Sequence, residues 1–318
     1  MGKIKISVIT PVYKAETCLN ELYSRLVTVL ERVSTEYEIV MVNDHSPDNS
    51  WNEIKKISSG NPRVKGINLS RNFGQYQAIR AGVRHAEGDC IVVMDCDLQD
   101  PPEKIIDLYE ELQKGYDGVF MSRLKRNDSI LRKVTNASFY SILNFFTGLK
   151  FDSSISNFSI CKRNIINAFL QFREETFFYP MIPVLLGFNI AKLPIHRDKR
   201  FDDGGSGYSL RKLLKLAFNI IISHSSKPLM LMTYCGMFIT FLCILNIIFF
   251  IFFYFHGNIP VSGWTSLNLS IIFSLGVIVT CMGILGTYIA KIYDEVKHRP
   301  FYIIKETTFP LKNEDMQF

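Results

Sequence analysis

Asp95 and Asp97 stand directly after the apolar run Cys90-Ile91-Val92-Val93-Met94 and before Leu98-Gln99-Asp100-Pro101-Pro102. A buried strand that runs into carboxylates at i and i+2 can turn both toward one side as the chain leaves a sheet. One or two carboxylates are the usual protein contribution to a bound Mg2+ or Mn2+, with water and substrate phosphate oxygens completing the shell. Such an ion neutralises a departing diphosphate. A helix-capping turn cluster is the competing reading of the same DxD, and the position at the end of a strand favours the metal. Two other phosphate-handling devices are excluded. The first strand ends in ITPVYKAE rather than GxGxxG, and no GxxxxGK[ST] occurs anywhere in the chain.

The elements that must position these carboxylates follow from the apolar rhythm of residues 1–122. Short β-branched runs predict strands over Ile4–Thr10, Glu38–Asn43, Val64–Leu69, Cys90–Met94 and Gly118–Met121. Between them, helical spacing predicts helices over Glu16–Val33, Asn49–Ser58, Gln75–Ala86 and Pro102–Gln113, the last opened by a proline suited to a first turn. This alternation implies an α/β domain with a mainly parallel sheet, whose ligands bind at the carboxyl ends of the strands.

The chain has 318 residues, a formal net charge of +6 and 47% hydrophobic residues. That composition excludes a disordered chain, a collagen-like fibre and a disulfide scaffold. The seven cysteines form no CxxC pair and no zinc-spaced cluster, so reduced thiols are expected. The opening MGKIKISVITPVY alternates like a strand and is not read as a secretory leader.

Charge is segregated: no Asp, Glu, Lys or Arg occurs from Pro228 to Ala290. Leu229–Phe255 and Trp264–Ala290 are 27 residues each, long enough as helices to cross a bilayer, and a turn-rich linker separates them. Lys227, Lys291, Lys297 and Arg299 flank the pair, which predicts cytosolic flanks. Ile130–Phe146 and Ser209–Ser223 mix basic with large apolar residues, as helices in a headgroup region do; ordinary amphipathic core helices are the alternative. The expected organisation is a cytosolic domain over 1–208, a juxtamembrane amphipathic helix over 209–227, a transmembrane hairpin over 228–290 and a cytosolic tail over 291–318. The protein is accordingly expected to be multi-pass in a plasma or bacterial inner membrane.

Several segments in order, SVITPVY, VNDHSPDNS, LSRNFGQYQAIRAG, GDCIVVMDCDLQDPPE and KIYDEVKHRPFYI, resemble the family 2 glycosyltransferases. More narrowly, they are similar to the polyprenyl-phosphate sugar transferases, which include dolichol-phosphate mannose synthases and bactoprenol glucosyltransferases. The resemblance covers nearly the whole chain. It implies a GT-A type nucleotide-sugar transferase domain with interfacial amphipathic helices and two C-terminal transmembrane helices. The implied reaction moves a sugar, with inversion, from a nucleotide sugar, first of all a UDP-sugar, to a polyprenyl phosphate of undecaprenyl or dolichyl type.

By the same resemblance Pro11, Tyr13, Glu16, Asp44 and Ser46 hold the nucleoside, the stretch Arg71-Asn72-Phe73-Gly74 lies near the diphosphate, and Gln99 lies near the metal or sugar. Asn43 stands where the family often has a second acid. A lipid phosphate needs fixed cations, Arg above all, beside apolar surface. Arg123, Arg132 and Arg200 match the family's acceptor-phosphate arginines, with solvated surface charge as the alternative reading. Asn157 stands where the family commonly has an acid. An ionised phosphate monoester attacks without a general base, so Asn157 is assigned to orienting donor or acceptor, with Asp152 a substitute base. Expected partners are thus the nucleotide sugar, the polyprenyl phosphate and the bilayer. Homo-oligomerisation is left open, and nucleic acid is not expected. Two other readings are a processive polysaccharide synthase, which usually carries QxxRW and more spans, and a catalytically silent membrane scaffold.

Overall fold

The computed structural model describes residues 5–123, 141, 144–148, 152, 154–172, 179–195, 221–222, 225–255, 263–297 and 299–311. These fall into two compact units, one built from 1–137, 150–207 and 299–318, the other from 138–149 and 208–298.

The first unit is organised on a sheet whose strands are β1 (Ile6–Val12), β2 (Tyr37–Asn43), β3 (Val64–Leu69), β4 (Cys90–Val93), β5 (Gly118–Arg123), β6 (Ile155–Lys162), β7 (Ile190–Ile195) and β8 (Ile304–Thr307). Their spatial order is β7-β5-β6-β4-β1-β2-β3-β8. The pairs β1/β2, β1/β4, β2/β3 and β5/β7 are parallel, whereas β6 runs antiparallel to β4 and β5, and β8 antiparallel to β3. The expected mainly parallel sheet is therefore present. β6, β7 and β8 were not foreseen.

Helices α1 (Leu19–Val33), α2 (Ser50–Gly60), α3 (Gln75–His85), α4 (Lys104–Gln113) and α5 (Arg163–Gln171) surround the sheet, followed by a short turn of helix, α6 (Ile182–Leu185). Every residue of β1 and β2 is buried, as expected of central strands covered on both faces. α1 buries Leu19, Leu22, Leu26, Val29 and Leu30, a single stripe at helical spacing. Gly82 lets α3 lie close on the sheet, since a Cβ there would come within 2.3 Å of the Ile9 Cγ2.

The expected elements shift most where a functional loop intrudes. β1 continues to Val12, and α1 begins at Leu19 rather than Glu16, because residues 13–18 form a loop with Lys14 in the left-handed region, φ 53°. α4 begins at Lys104, with Pro101 and Pro102 supplying carbonyls to the N–H groups of Lys104 and Ile105.

The second unit contains two long helices, α7 (Lys227–Phe255) and α8 (Trp264–Val296). Within α8, Phe273–Asp294 is long and apolar enough to cross a membrane, with none of it buried in the protein. α7 exposes Met230, Leu231, Tyr234, Met237 and Phe238 among other apolar side chains. Near its start the Lys227 ammonium donates to the Phe145 carbonyl, and the Tyr288 hydroxyl donates to the Ser225 carbonyl at 2.7 Å. Of the two expected amphipathic helices, 141, 144–146 and 221–222 are described, all helical; the rest of both segments lies outside the described residues.

Candidate active site

The carboxyl ends of β1, β2, β3 and β4 lie at one edge of the sheet, and a cavity of about 570 Å3 opens there. It is lined by Pro11, Tyr13, Asp44, Gly74, Asp95 and Asp97 among the predicted site residues, joined by Lys14, Cys18, Asn72 and Gln75. The backbone is strained around it. The non-glycine residues with positive φ among those described are Lys14 (53°), His45 (52°) and Leu98 (56°), each in a loop at this edge. The left-handed region costs about 1–2 kcal/mol for such residues, so the surrounding contacts must hold all of these loops in place.

Asp95 sits just past β4. Its Oδ1 accepts one hydrogen bond from the Gln75 amide at 2.6 Å and another from the Asn157 amide at 3.2 Å. Asn157 is 7% exposed, and its own Oδ1 has no hydrogen-bond partner. β6 brings it there: Ser159 pairs with Val93 in the antiparallel register, which places Asn157 opposite the end of β4. Asp97 Oδ1 accepts the N–H of Gln99 at 3.2 Å, a tight turn around the left-handed Leu98.

Between the two aspartates Cys96 turns into the core, where the Cys18 thiol donates to its carbonyl at 3.1 Å. Hydrogen bonding with Cys18 and burial push the Cys96 thiol well above its ordinary range. It is a neutral core residue rather than a nucleophile.

Asp44 is 3% exposed, and its two oxygens accept the N–H groups of Phe73 at 2.7 Å and Gly74 at 2.9 Å. Burial pushes its carboxyl above the ordinary range, against the pull of those two bonds. Asp44 thus clamps the loop after β3, where Gly74 takes φ 93°, a conformation that favours glycine.

Tyr13 is 46% exposed and presents its ring at the cavity, with the Lys14 ammonium 5.7 Å from the ring centroid. Asn43 donates its amide to the Asn68 side chain at 2.8 Å and tethers β2 to β3.

Four of the predicted donor-binding residues do not line the cavity. Glu16 accepts the Asn49 N–H at 3.0 Å, and Ser46 donates to Asp48 Oδ1 at 2.5 Å while accepting the Lys14 N–H at 2.7 Å. Burial would raise the Asp48 carboxyl, but the hydroxyls of Ser46 and Ser50 outweigh it and hold the group below its ordinary range. Glu16 and Ser46 therefore join the loops after β1 and β2 from behind. Arg71 is exposed with its guanidinium 4.6 Å from the Phe73 ring centroid, and Gln99 contributes its backbone N–H to Asp97. Of the acceptor arginines, Arg123 ends β5, which runs in the same direction as β4, so its backbone lies at the same edge as the aspartates. Arg132 and Arg200 lie outside the described residues. Asp152 is ion-paired to Lys192 at 2.7 Å and accepts the Ser154 hydroxyl at 2.6 Å. Burial opposes these bonds, which still hold its carboxyl down at about 2, too weak for a base near neutrality.

Residues 7–170 match the family described as glycosyl transferase family 2. The chain is also 34% identical over 305 residues to the uncharacterized glycosyltransferase YkcC of Bacillus subtilis, covering 96% of this chain and 94% of that one. It is a family 2 glycosyltransferase. Another relative of this glycosyltransferase is the undecaprenyl-phosphate 4-deoxy-4-formamido-L-arabinose transferase of Shewanella sediminis, 32% identical over 310 residues, 95% of this chain and 92% of that one. Among solved structures, mannosyl-3-phosphoglycerate synthase from Rubrobacter xylanophilus matches 69% of this chain and 72% of its own, with a TM-score of 0.48 at 12% identity. The sheet and its crossover helices are the GT-A type α/β fold of the family.

Gln75, Lys14 and Cys18 were not singled out as site residues by the sequence, whereas Asn72 lies in the stretch expected near the diphosphate. Gln75 lies inside LSRNFGQYQAIRAG, but only the folded chain shows its amide on Asp95.

Proposed function

We propose that this glycosyltransferase moves a sugar, with inversion, from a nucleoside-diphosphate sugar to a polyprenyl phosphate at the cytosolic face of a membrane. The observation that carries the reading is the placement of Asp95 and Asp97 together on a cavity at the strand ends, with Asp95 fixed by two side-chain amides.

A divalent ion fits these residues. Both carboxylates are part-exposed at the cavity, and no group of three or more His, Cys, Asp or Glu side chains that could hold a metal occurs among the described residues. Two hard oxygen donors, with no larger ligand cluster among the described residues, match Mg2+ or Mn2+ that completes its shell from substrate and water. Asp95 and Asp97 would hold it, and when bound it supplies positive charge to the departing diphosphate.

The chain's own groups do the remaining work. The exposed face of Tyr13 offers a platform for a base, and the Asp44-clamped loop shapes the wall beside Gly74 and Gln75. The acceptor phosphate is already ionised near neutrality and attacks the anomeric carbon directly. The geometry agrees with this: Asn157 holds Asp95 rather than acting as a base, and Asp152 is tied to Lys192. Arg123, Arg132 and Arg200 are assigned to the acceptor phosphate, and Glu16, Ser46, Arg71 and Gln99 to the frame around the donor.

A membrane acceptor is supported by the apolar α7 and α8, by the uncharged 228–290 block, and by an apolar cavity of about 710 Å3 between those helices, lined by Phe146, Met232, Phe273 and Ile284 among others. The activity named for the Shewanella sediminis relative, on undecaprenyl phosphate, points the same way.

The test is to incubate the purified protein with a panel of nucleotide sugars and a short polyprenyl phosphate, with Mn2+ or Mg2+, and to weigh the lipid product by mass spectrometry. Asp97→Ala is expected to abolish product while the protein still inserts into membranes. Full activity of that variant would refute the metal assignment, and a sugar product on anything other than the lipid phosphate would refute the acceptor.

A further inference from the structure

Residues 299–311 belong to the first unit and cover the β3 edge of its sheet. β8 pairs antiparallel with β3, Ile67 opposite Thr307, Asn68 opposite Glu306 and Leu69 opposite Ile304. The attachment continues beyond the strand. Gly66 donates its N–H to the Thr308 hydroxyl at 2.8 Å, Thr308 donates its N–H to the Gly66 carbonyl at 3.0 Å, and the Trp51 indole N–H donates to Glu306 at 2.9 Å. A Cβ on Gly66 would lie 2.9 Å from the Thr308 Cγ2, so the glycine permits this close approach.

Two of the contacts reach toward the candidate active site. The Ser70 N–H donates to the Ile303 carbonyl at 2.8 Å. Ser70 is the residue from which the loop 71–75 departs, and that loop lines the cavity through Asn72, Gly74 and Gln75. At the other end the loop runs into α3, whose Arg80, 5% exposed, stacks its guanidinium 3.9 Å from the Phe301 ring centroid. One segment therefore grips the chain on both sides of the loop that Asp44 clamps and that delivers the Gln75 amide to Asp95.

We propose that the C-terminal strap 299–311 is a positioning element for the donor pocket, with Ile303 and Phe301 setting the two ends of the 71–75 loop. This rests on reading the cavity as the nucleotide-sugar site. Without the strap β3 becomes an edge, its outward N–H and C=O groups are left to solvent, and the loop loses both supports. The contacts that orient the donor then loosen, whereas the acceptor side is left as it was.

The experiment uses the full chain in detergent or nanodiscs, compared with a chain lacking 303–318 and with the double variant Phe301→Ala, Thr308→Val, which serves if the shortened chain does not fold. Two readouts are taken: hydrogen exchange of the amides of 71–75 against those of β1 and β2, and KM for the nucleotide sugar against KM for a short polyprenyl phosphate. Loss of the Ser70–Ile303 bond in the shortened chain, or of the Phe301–Arg80 contact and the Thr308 hydroxyl acceptor in the double variant, predicts exchange in the loop faster by about tenfold and donor KM raised by about tenfold, with the acceptor KM within about twofold. Unchanged exchange in 71–75, or faster exchange with an unchanged donor KM, overturns the proposal. So does an equal rise of both KM values. If the parent chain transfers sugar from no nucleotide donor, the functional reading fails by itself. The strap is then judged by loop exchange and by affinity for a nucleoside diphosphate with Mn2+, and it is refuted if neither changes.

Discussion

Asn157→Asp puts an acid beside Asp95 without changing the shape of the side chain. The Asn157 amide nitrogen is 3.2 Å from Asp95 Oδ1 and the residue is 7% exposed. Two unit charges at that 3.2 Å separation, in an effective dielectric of about 20, repel by roughly 5 kcal/mol. Solvent at the part-exposed Asp95 screens this repulsion, but its sign is fixed: the pair releases its second proton at a higher pH than an unpaired carboxylate does. The proton belongs to the pair, not to either aspartate. A divalent ion must displace it, so below that pH the affinity for Mn2+ falls by up to about tenfold per unit. Titrating Mn2+ by electron paramagnetic resonance from pH 5 to pH 8 checks this directly, without turnover. The variant is expected to show affinity that drops steeply toward the acid end of that range, and the parent chain a much flatter profile. A variant whose Mn2+ affinity is as flat as the parent's would refute the placement of Asn157 against a metal-binding Asp95.

Two further outcomes follow from the same geometry. Gln75→Leu removes the 2.6 Å donor from Asp95 Oδ1. Because Gln75 is exposed, the lower end of the range for a bond to a charged group applies, about 1.5 kcal/mol, or about a tenfold loss in Mn2+ affinity and in kcat/KM; unchanged values in both assays would show that Asn157 alone orients the carboxylate. Asp152, held at about 2 by the Lys192 ion pair and the Ser154 hydroxyl against the effect of burial, is ionised more readily in the folded chain than in the unfolded one. Its stabilisation is therefore present above the ordinary carboxylate range and is lost as the pH falls from about 4 toward about 2. Thermal unfolding of the parent and Asp152→Asn chains should converge across that window, and a constant difference between them would refute the ion pair as its source.

The parts of this protein that the sequence makes legible are those in which chemistry and periodicity agree locally. The alternation over residues 6–113 places β1 to β4 and α1 to α4 to within a few residues, because the strands are rich in apolar and β-branched residues and α1, α2 and α4 each bury an apolar stripe at helical spacing. Asp95 and Asp97 are legible because a carboxylate pair at the end of such a strand is unusual in a purely structural role. Glu16 and Ser46 go the other way: their types suit a ligand, but Asp48 and Asn49, close by in the fold, claim their hydrogen bonds first. β8 was missed because Ile304-Lys305-Glu306-Thr307 is too short and too charged to stand out, and it becomes a strand only against the waiting β3 edge. The contact of Asn157 with Asp95 spans 62 positions and depends on β6 entering antiparallel between β4 and β5, a topology no local pattern encodes.

The backbone locates the same site by a route independent of the DxD motif. Lys14, His45 and Leu98 are not residues that favour positive φ as glycine does, yet each adopts it after a parallel strand, at β1, β2 and β4, and Gly74 does so after β3. Strain of about 1–2 kcal/mol at each non-glycine position would be removed by small changes of sequence if the loops had only to connect elements. Among the described residues it is confined to one edge of the sheet, which fits conformations set by the shape of the cavity rather than by chain closure. Asp44, Asp48 and Asp95 then have one task in common. Each carboxylate accepts donors from a neighbouring loop, so the four strand ends are cross-linked by charge-assisted hydrogen bonds that hold the strained backbone in place around the two aspartates.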